Sequence, residues 1–328
     1  MIITKTPFRV SFCGGGSDMA DFYREYGGCV LSTSINRYMY MTMHPYFDEN
    51  RTALKYSQNE IVEDIKDIKH SIFHSVLNDK QISGVEISST ADVPSGTGLG
   101  SSSAFTVGLL HTLACYKGKY ISKGKLAEEA CKVEIDKLGA PIGKQDQYAV
   151  AFGGMNFIRF HMDDTVSVEP VIAKKETMRI LQENIVMFYT GLTHDANKIL
   201  LEQKKNIKKA DKVQNLISMC ELARCLKHSL EQNELKDFGT ILNEGWVKKR
   251  ELAGSITNPL IDEMYDCALR NGAEGGKLLG AGGGGFLLFY CPKEKQAFLK
   301  EKLNLKPFDF RFEHDGTSVV YIGDKYWE

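Results

Sequence analysis

The sequence predicts an α+β fold of two units, because strand-like and helical patterns follow one another without a regular βαβ alternation. Its 328 residues are long for a single core and comfortable for two. A polar stretch after residue 160 separates two regions that are rich in predicted structure. We therefore expect an N-terminal unit over residues 1–170 and a C-terminal unit over 171–328, without a fixed-period internal repeat.

The first half combines alternating patterns, typical of strands, with two helical patterns. Phe105, Leu109 and Leu113 recur at four-residue spacing and predict a helix over 103–117. A second helix is expected over about 124–138. The predicted strands lie at 8–13, 29–34, 38–46, 84–94 and 153–160, with a turn at Ile35, Asn36 and Arg37.

The second half opens with a strand pattern over 184–191. A long helical pattern follows over 196–252 and is broken near Asn233. Pro259 and Gly272 bracket a further helix, since proline favours helix starts and glycine follows helix ends. The remaining elements are expected to be a strand–turn–strand over 275–292, a short helix near 293–303, and strands near 308–313 and 317–322.

The composition is that of an ordinary globular protein, with 43% apolar and 25% charged residues and a net charge of −1. This near-neutral balance gives no electrostatic reason to expect a nucleic-acid partner. No apolar stretch approaches the roughly 20 residues that span a bilayer, so no membrane partner is expected. The eight cysteines lack zinc or redox-motif spacing, which favours reduced thiols and a cytoplasmic location. The sequence leaves open whether the chain forms a homodimer.

Three glycine-rich segments, at 14–16, 96–100 and 280–285, are candidates for ligand binding. The Walker pattern of ordinary P-loop proteins is absent. The dinucleotide pattern G-x-G-x-x-G matches only 280–285, where the strand-like "FLLFYC" follows instead of the required helix. A dinucleotide-dependent oxidoreductase is therefore disfavoured.

The segment "DVPSGTGLGSSSAF", residues 92–105, lies between a predicted strand and a predicted helix. Its three glycines permit positive φ and a close approach of the backbone to a ligand. The serines at 101–103 stand at the helix start, where free N–H groups and the helix dipole favour anions. We expect one serine to cap the helix and the others to face phosphate or a metal. A purely structural turn is the alternative.

These motifs together resemble the GHMP small-molecule kinases, a family named after galactokinase, homoserine kinase, mevalonate kinase and phosphomevalonate kinase. "DVPSGTGLGSSSAFTVG" is similar to the family's phosphate-binding motif, "TPFRVSFCGGGSD" stands where its substrate motif stands, and "KLLGAGGGGFLLF" resembles its C-terminal motif. The resemblance covers nearly the whole chain. It implies a ribosomal-protein-S5-like α+β domain, a ferredoxin-like α+β domain, and an active site in the cleft between them.

The resemblance also implies ATP and Mg²⁺ as cofactors. The nucleotide contacts expected from it are Pro94, Ser95, Gly96, Thr97, Gly98, Leu99, Gly100, Ser101, Ser102 and Ser103. Glu134 stands at helical spacing from Ala127, Ala130 and Cys131, on the small apolar face of its predicted helix. An inward carboxylate is unfavourable unless it is paired or holds a metal, and a glutamate that reaches solvent is the alternative. The resemblance implies that Glu134 and the hydroxyl of Ser102 hold Mg²⁺.

Asp146 is expected in a loop of small residues, "GKQDQYAVAFGG". The resemblance implies that it accepts or orients the proton of the acceptor hydroxyl, whereas a capping or turn residue is the alternative. Arg9 is implied to lie near this aspartate, and a solvent-facing arginine on a strand is the alternative. Lys144, close by in sequence, is expected to temper the carboxylate or to contact phosphate.

The first glycine turn is implied to bind the sugar, with an Asx turn at Asp18 as the alternative. The expected substrate residues are Gly14, Gly15, Gly16, Ser17, Asp18 and Lys144, with Gly282 and Gly283 shaping the site. A phosphorylated sugar needs cations as well. The sequence does not choose among Lys248, Lys249, Arg250, Arg37 and Lys144.

Within the family, the chain resembles the branch that phosphorylates heptose 7-phosphates. Four segments together carry this resemblance: "GGGSDMADFYREYGG", "GKQDQYAVAFGGMNFI", "EGWVKKRELA" and "GGKLLGAGGGGFLLFYCP". We therefore hypothesise a transfer of the ATP γ-phosphoryl group to the anomeric hydroxyl of D-glycero-D-manno-heptose 7-phosphate. The product, the 1,7-bisphosphate, would feed nucleotide-activated heptose for surface polysaccharide. A galactose- or fucose-type sugar-1-kinase is one alternative, and a ligand sensor without turnover on the same fold is another.

Overall fold

Strands and helices alternate irregularly along the computed structural model, which describes residues 1–193 and 196–323. The strands are β1 (Ile2–Cys13), β2 (Gly28–Pro45), β3 (Thr52–Lys55), β4 (Asn59–Val62), β5 (Val85–Ala91), β6 (Met155–Phe160), β7 (Val166–Pro170), β8 (Ile185–Tyr189), β9 (Gly275–Leu278), β10 (Phe286–Tyr290), β11 (Lys306–Pro307), β12 (Phe312–Glu313) and β13 (Ser318–Ile322). The helices are α1 (Ala20–Tyr26), α2 (Ser71–Lys80), α3 (Ser101–Tyr116), α4 (Lys123–Cys131), α5 (Gln145–Phe152), α6 (Lys175–Asn184), α7 (Ala196–Asn206), α8 (Ala210–Glu231), α9 (Phe238–Arg250), α10 (Pro259–Arg270) and α11 (Gln296–Leu303).

Two sheets carry the fold, as expected for an α+β protein. The larger sheet has the order β13-β1-β2-β5-β3-β4, and β6, β7 and β12 join it through β2 and β6. The smaller sheet has the order β11-β8-β10-β9 and is antiparallel throughout. Helix α3 packs against β1 and β2, which places the segment before it above the larger sheet. Within the described residues, no helix is long and apolar enough to cross a membrane.

Strand β2 corrects one expectation, because the turn predicted at 35–37 does not form. Ile35 pairs with Phe8, whereas the next ladder pair joins Pro7 to Tyr38, so two residues of β2 are left over in this ladder. The N–H of Asn36, one of these two, donates to the carbonyl of Arg311. A bulge supported by the chain's C-terminal segment therefore replaces a turn, and the strand continues.

The helical predictions hold with changed boundaries. The break near Asn233 is confirmed, but residues 207–209 break the long helical pattern a second time, which gives α7, α8 and α9. The helix expected over 124–138 is α4 followed by a π-helical segment, Lys132–Lys137. π-helical segments are rare in proteins, and those that occur are often found at functional sites. The helix expected over 103–117 begins two residues earlier, at Ser101.

The C-terminal segment returns to the larger sheet. β12 pairs with β2, and β13 pairs with β1 in antiparallel register. The hydroxyls of Thr6 and Thr317 are 2.9 Å apart at this junction. Phe12 packs edge-on against Phe238, with ring centroids 5.5 Å apart, so β1 contacts the helices of the second half directly. The glycine turn that follows β1 consequently lies where the two halves of the chain meet.

Candidate active site

Two cavities share a wall at Asp146 and Arg9. The larger, of about 540 Å³, is lined by two of the glycine-rich segments and by the start of α3. The smaller, of about 90 Å³, is lined by polar and charged side chains from four separate parts of the chain. Its polar lining comprises Arg9, Ser11, Asp18, Gln145, Asp146, Lys249 and Lys277.

The segment between β5 and α3 lies against the 280–285 segment, backbone to backbone. Gly98 has φ +84°, and a Cβ there would be 2.4 Å from the carbonyl oxygen of Leu279. A Cβ on Gly280 would meet the Cα of Gly98 at 2.5 Å. Only glycine permits this approach together with the positive φ. The two segments therefore form one continuous wall of the larger cavity.

The start of α3 corrects the expectation that a serine caps it. Gly100 occupies the N-cap position with φ 76°, and no side chain accepts a hydrogen bond there. Ser101, Ser102 and Ser103 form the first turn instead. Uncapped N–H groups at a helix start carry the positive end of the helix dipole. This end of α3 lies at the wall of the larger cavity and suits an anion.

Glu134 is buried beside this helix start, with 2% of its surface exposed. Ser102 donates to its Oε1 at 2.5 Å, and Ser103 donates to its Oε2 at 2.9 Å. The side-chain amide of Gln147 donates to Oε2 at 2.7 Å. Burial raises the pKa of Glu134, and these three hydrogen bonds act in the opposite direction. The π segment turns this carboxylate toward α3, whereas the neighbouring Asp136 is exposed.

The side chains of Ser102 and Glu134 offer the oxygen ligands that a magnesium ion prefers. Both side chains offer hard oxygen donors at the wall of the larger cavity. Magnesium is commonly held by one or two carboxylates together with water and the phosphates of its substrate. Within the described residues, no group of three or more histidine, cysteine or acidic side chains forms a closed metal site.

Asp146 lies in the first turn of α5, not in the expected loop. Arg9 reaches it from β1 with two hydrogen bonds, Nε to Oδ1 at 2.8 Å and Nη2 to Oδ2 at 2.9 Å. The third contact of Arg9 is a 2.6 Å hydrogen bond from Nη1 to the carbonyl of Gly98. Arg9 is 4% exposed in its side chain and Asp146 is 26% exposed. The arginine is thus buried and fixed, and the carboxylate remains accessible from the cavities.

Asp18 links the first glycine turn to the segment before α5. Its Oδ1 accepts from the N–H of Gly16 at 2.8 Å, and its Oδ2 accepts from the N–H of Gln145 at 3.1 Å. Because one donor precedes Asp18 and the other is distant in sequence, this is not the Asx turn of the alternative interpretation. Burial raises the pKa of Asp18, and the nearby charge of Asp146 adds to this effect.

Several expected site residues lie elsewhere. The ammonium group of Lys144 donates to the carbonyl of Asp164 at 3.0 Å and lies 4.8 Å from the centre of the Tyr23 ring. Ser17 donates to the carbonyl of Cys29 from a fully buried position. Outside the lining of both cavities are Gly14, Ser17, Pro94, Ser95, Thr97, Leu99, Lys144 and Gly283. The lining does include Gly15, Gly16, Asp18, Gly96, Gly98, Gly100, Ser101, Ser102, Ser103 and Gly282.

The sequence interpretation missed Lys277, which lines the smaller cavity together with Lys249. Lys277 is the only charged residue in the stretch "GGKLLGAGGGGFLLF". A lone lysine inside an apolar, glycine-rich strand pattern is a usable signal, since buried lysines need a specific reason.

The chain matches known proteins over both halves. The family model for the N-terminal domain of GHMP kinases matches residues 62–154, and the model for their C-terminal domain matches residues 226–308. The D-glycero-alpha-D-manno-heptose 7-phosphate kinase of Campylobacter jejuni is 31% identical over 96% of this chain and 98% of its own length. A galactokinase of Pyrococcus furiosus is 25% identical over 92% of this chain and 94% of its own length.

Solved structures agree on the fold. A D-glycero-D-manno-heptose 1-phosphate kinase from Bacteroides thetaiotaomicron superposes with a TM-score of 0.81, at 24% identity, over 99% of this chain and all of its own. A putative sugar kinase from Campylobacter jejuni superposes with a TM-score of 0.78, at 27% identity, over 98% of both chains. The α+β architecture and the family resemblance are thus confirmed. The chain belongs to the GHMP kinase family and is a phosphotransferase.

Proposed function

We propose that the chain transfers the γ-phosphoryl group of ATP to the anomeric hydroxyl of D-glycero-D-manno-heptose 7-phosphate and releases the 1,7-bisphosphate. The observation that carries the proposal is the position of Asp146, which is held by Arg9 at the boundary of the two cavities. At this boundary, the Asp146 carboxylate can contact a phosphoryl donor in the larger cavity and an acceptor hydroxyl in the smaller one. The Campylobacter jejuni relative supports the choice of acceptor.

The larger cavity is assigned to ATP. Its volume of about 540 Å³ lies in the usual range for small-molecule sites, roughly 300–1,000 Å³. The uncapped start of α3 and the glycines at 96, 98 and 100 offer N–H groups to the phosphates. Residues from both expected units, 1–170 and 171–328, line this cavity, in keeping with an active site between them.

Ser102 and Glu134 would hold the magnesium ion that accompanies the nucleotide. When bound, this ion would neutralise charge on the phosphates during transfer. The three hydrogen bonds to Glu134 orient its carboxylate, and burial keeps competing water away from it.

The acceptor hydroxyl is assigned to the smaller cavity, where it donates a hydrogen bond to Asp146. Arg9 holds that carboxylate in place through its two hydrogen bonds. Asp146 then orients the hydroxyl for in-line attack and accepts its proton as the new bond forms. An anomeric hydroxyl is more acidic than an ordinary alcohol, so one positioned carboxylate suffices. The product would enter nucleotide-heptose synthesis for surface polysaccharide.

A galactose- or fucose-type sugar-1-kinase is the second candidate, and the similarity to the galactokinase favours it. The two heptose kinases among the relatives are named for different substrates, one for a 7-phosphate and one for a 1-phosphate. Their names support a heptose phosphate in general, and the position of phosphorylation needs an experiment.

The test is an ADP-release assay over a panel of acceptors. The panel contains D-glycero-D-manno-heptose 7-phosphate, the unphosphorylated heptose, galactose, fucose and mannose. We expect the highest kcat/KM for the heptose 7-phosphate, and a product whose phosphorus NMR spectrum has one new anomeric phosphate signal. A higher kcat/KM for galactose or fucose would overturn the proposal, and the absence of turnover with every acceptor would favour the ligand sensor.

A further inference from the structure

We infer that Lys249 and Lys277 together bind the phosphate group that the acceptor already carries, an inference that rests on the proposed function. Lys249 lies on α9 and Lys277 on β9, and both line the smaller cavity beside Asp18. Each lysine is only 8% exposed. Two ammonium groups from distant parts of the chain thus converge on the cavity that receives the acceptor.

Both lysines donate hydrogen bonds to neutral partners. The ammonium group of Lys249 donates to Oε1 of Gln203 at 2.9 Å and lies 3.5 Å from the carbonyl of Gly15. That of Lys277 donates to the carbonyl of Phe12 at 3.2 Å. These carbonyl oxygens are their hydrogen-bond acceptors in the part of the chain that the structure describes. The charge of Asp18 acts on Lys249, but among the described residues neither lysine forms an ion pair with an acidic side chain. Because a buried cation is unfavourable unless it is paired, an anionic ligand would complete the arrangement.

Gln203 supplies an independent observation. Its side chain is fully buried, and among residues 1–193 and 196–323 its Nε2 finds no hydrogen-bond partner. The amide orientation follows from Lys249, because an ammonium group needs the amide oxygen as acceptor. The unpaired Nε2 lies beside Gly16, where an added Cβ would be 2.4 Å away from it. This unpaired donor at the glycine turn, on a side chain that contacts Lys249, supports an acceptor with several oxygens, as phosphate has.

The other cations proposed from the sequence are engaged elsewhere. Arg250 pairs with Asp262 at 2.9 Å. Arg37 donates to the carbonyl of Asp309, and Lys144 donates to Asp164. Of that group only Lys249 lines the smaller cavity. Since Arg9 is matched by Asp146, the two lysines are the cations left for a dianion.

The ionisation of the two lysines predicts a pH dependence. Burial lowers the pKa of Lys249 to about 8, against an opposing effect of Asp18. Burial lowers the pKa of Lys277 to about 7, Cys13 opposes this shift, and the charges of Lys249 and Arg9 reinforce it. As pH rises through 7 and 8, the free enzyme loses these charges and a dianion loses its partners. KM for the phosphorylated sugar is therefore expected to rise over this window, and KM for the unphosphorylated sugar is expected to stay level.

The experiment compares Lys249→Met and Lys277→Met with the control Lys248→Met, whose side chain does not line either cavity. Replacement of a buried cation by an apolar side chain of similar size is compatible with folding. Charge-assisted hydrogen bonds of this kind predict a rise in KM for the heptose 7-phosphate of roughly 10- to 100-fold per lysine. KM for the unphosphorylated heptose and for ATP is expected to be unchanged. An equal loss on both sugars would mean that the lysines are structural and would overturn the inference.

A second readout separates this inference from the proposed function. Inorganic phosphate is tested as an inhibitor competitive with the best acceptor of the panel, whichever sugar that is. Inhibition by phosphate that is competitive in the wild type and is lost in Lys249→Met and Lys277→Met would support the phosphate site. This conclusion would hold even if the heptose 7-phosphate is not the preferred acceptor of the panel. The absence of competition in the wild type, or its full retention in both variants, contradicts the site.

Discussion

The two cavities that meet at Asp146 differ in the residues that line them. The larger has a phosphate-facing wall that is built from the backbone of two glycine-rich segments and the start of one helix, and one of these segments runs directly into that helix. The smaller is walled by charged side chains from β1, α5, α9 and β9, which are far apart in the chain. The comparison teaches that a contiguous motif can supply a large part of one cavity wall, whereas the polar lining of the other depends on long-range packing.

The largest effect is expected where the cavities meet. Asp146→Asn removes the proton acceptor and keeps the side-chain shape, so kcat is expected to fall by roughly 10²- to 10⁴-fold. ATP binding, measured by titration calorimetry, is expected to be retained. Asp266→Asn, which changes an exposed carboxylate on α10, is the control and should leave kcat unchanged. If Asp146→Asn kept most of its activity, another group would have to accept the proton.

An intermediate effect is expected at the acidic side chain of the larger cavity. Glu134→Gln removes the buried negative charge, so the half-saturating Mg²⁺ concentration is expected to rise by at least roughly 10-fold. It is measured as ADP release against total magnesium. The control is Asp136→Asn, an exposed acid in the same π segment. A magnesium dependence identical to that of the wild type would remove Glu134 from the metal site.

The smallest effect is expected from the backbone of the larger cavity, where Gly96 and Gly98 form a matched pair. Both have positive φ, so an alanine at either position is disfavoured by roughly 1–2 kcal/mol. At Gly98 the new Cβ also meets Leu279, whereas at Gly96 nothing lies within 4 Å. Gly98→Ala is therefore expected to lose roughly 1–3 kcal/mol more stability in urea unfolding, with a larger rise in KM for ATP. Equal losses would mean that the contact between the two segments is unimportant.

Local sequence patterns predicted the elements that positions close in the chain define. The helix that begins at Ser101, within "DVPSGTGLGSSSAF", forms because apolar residues recur at helical spacing, and the glycines before it adopt the expected positive φ. The family resemblance followed from the same contiguous motifs and is confirmed by the comparisons. Where a local signal was ambiguous, the prediction was wrong, as for the serine cap that Gly100 replaces.

Other errors arose where distant residues decide the local conformation. The turn expected at 35–37 is a bulge in a continuous strand, because Arg311 supplies the hydrogen bonds that a turn would have made internally. Asp146 was expected in a loop, yet it lies in the first turn of α5. Lys144 was expected near the chemistry because it is close in sequence, but its side chain contacts Asp164 instead.

The sequence by itself determined the α+β class, through the order of its strand and helical patterns, and the kinase family, through the spacing of residues within short contiguous motifs. The resemblance implied that Arg9 lies near Asp146, and the tertiary structure supplies the two hydrogen bonds that join them. Only the tertiary structure decided that Lys249 and Lys277 share a cavity. Burial and ion pairing depend on contacts between segments that are not adjacent in the chain, such as those of Arg9 and Asp146, which are 137 residues apart. The composition of a single segment does not encode such contacts. A lysine in a strand pattern becomes a binding group only when the fold removes its water and its counter-ion.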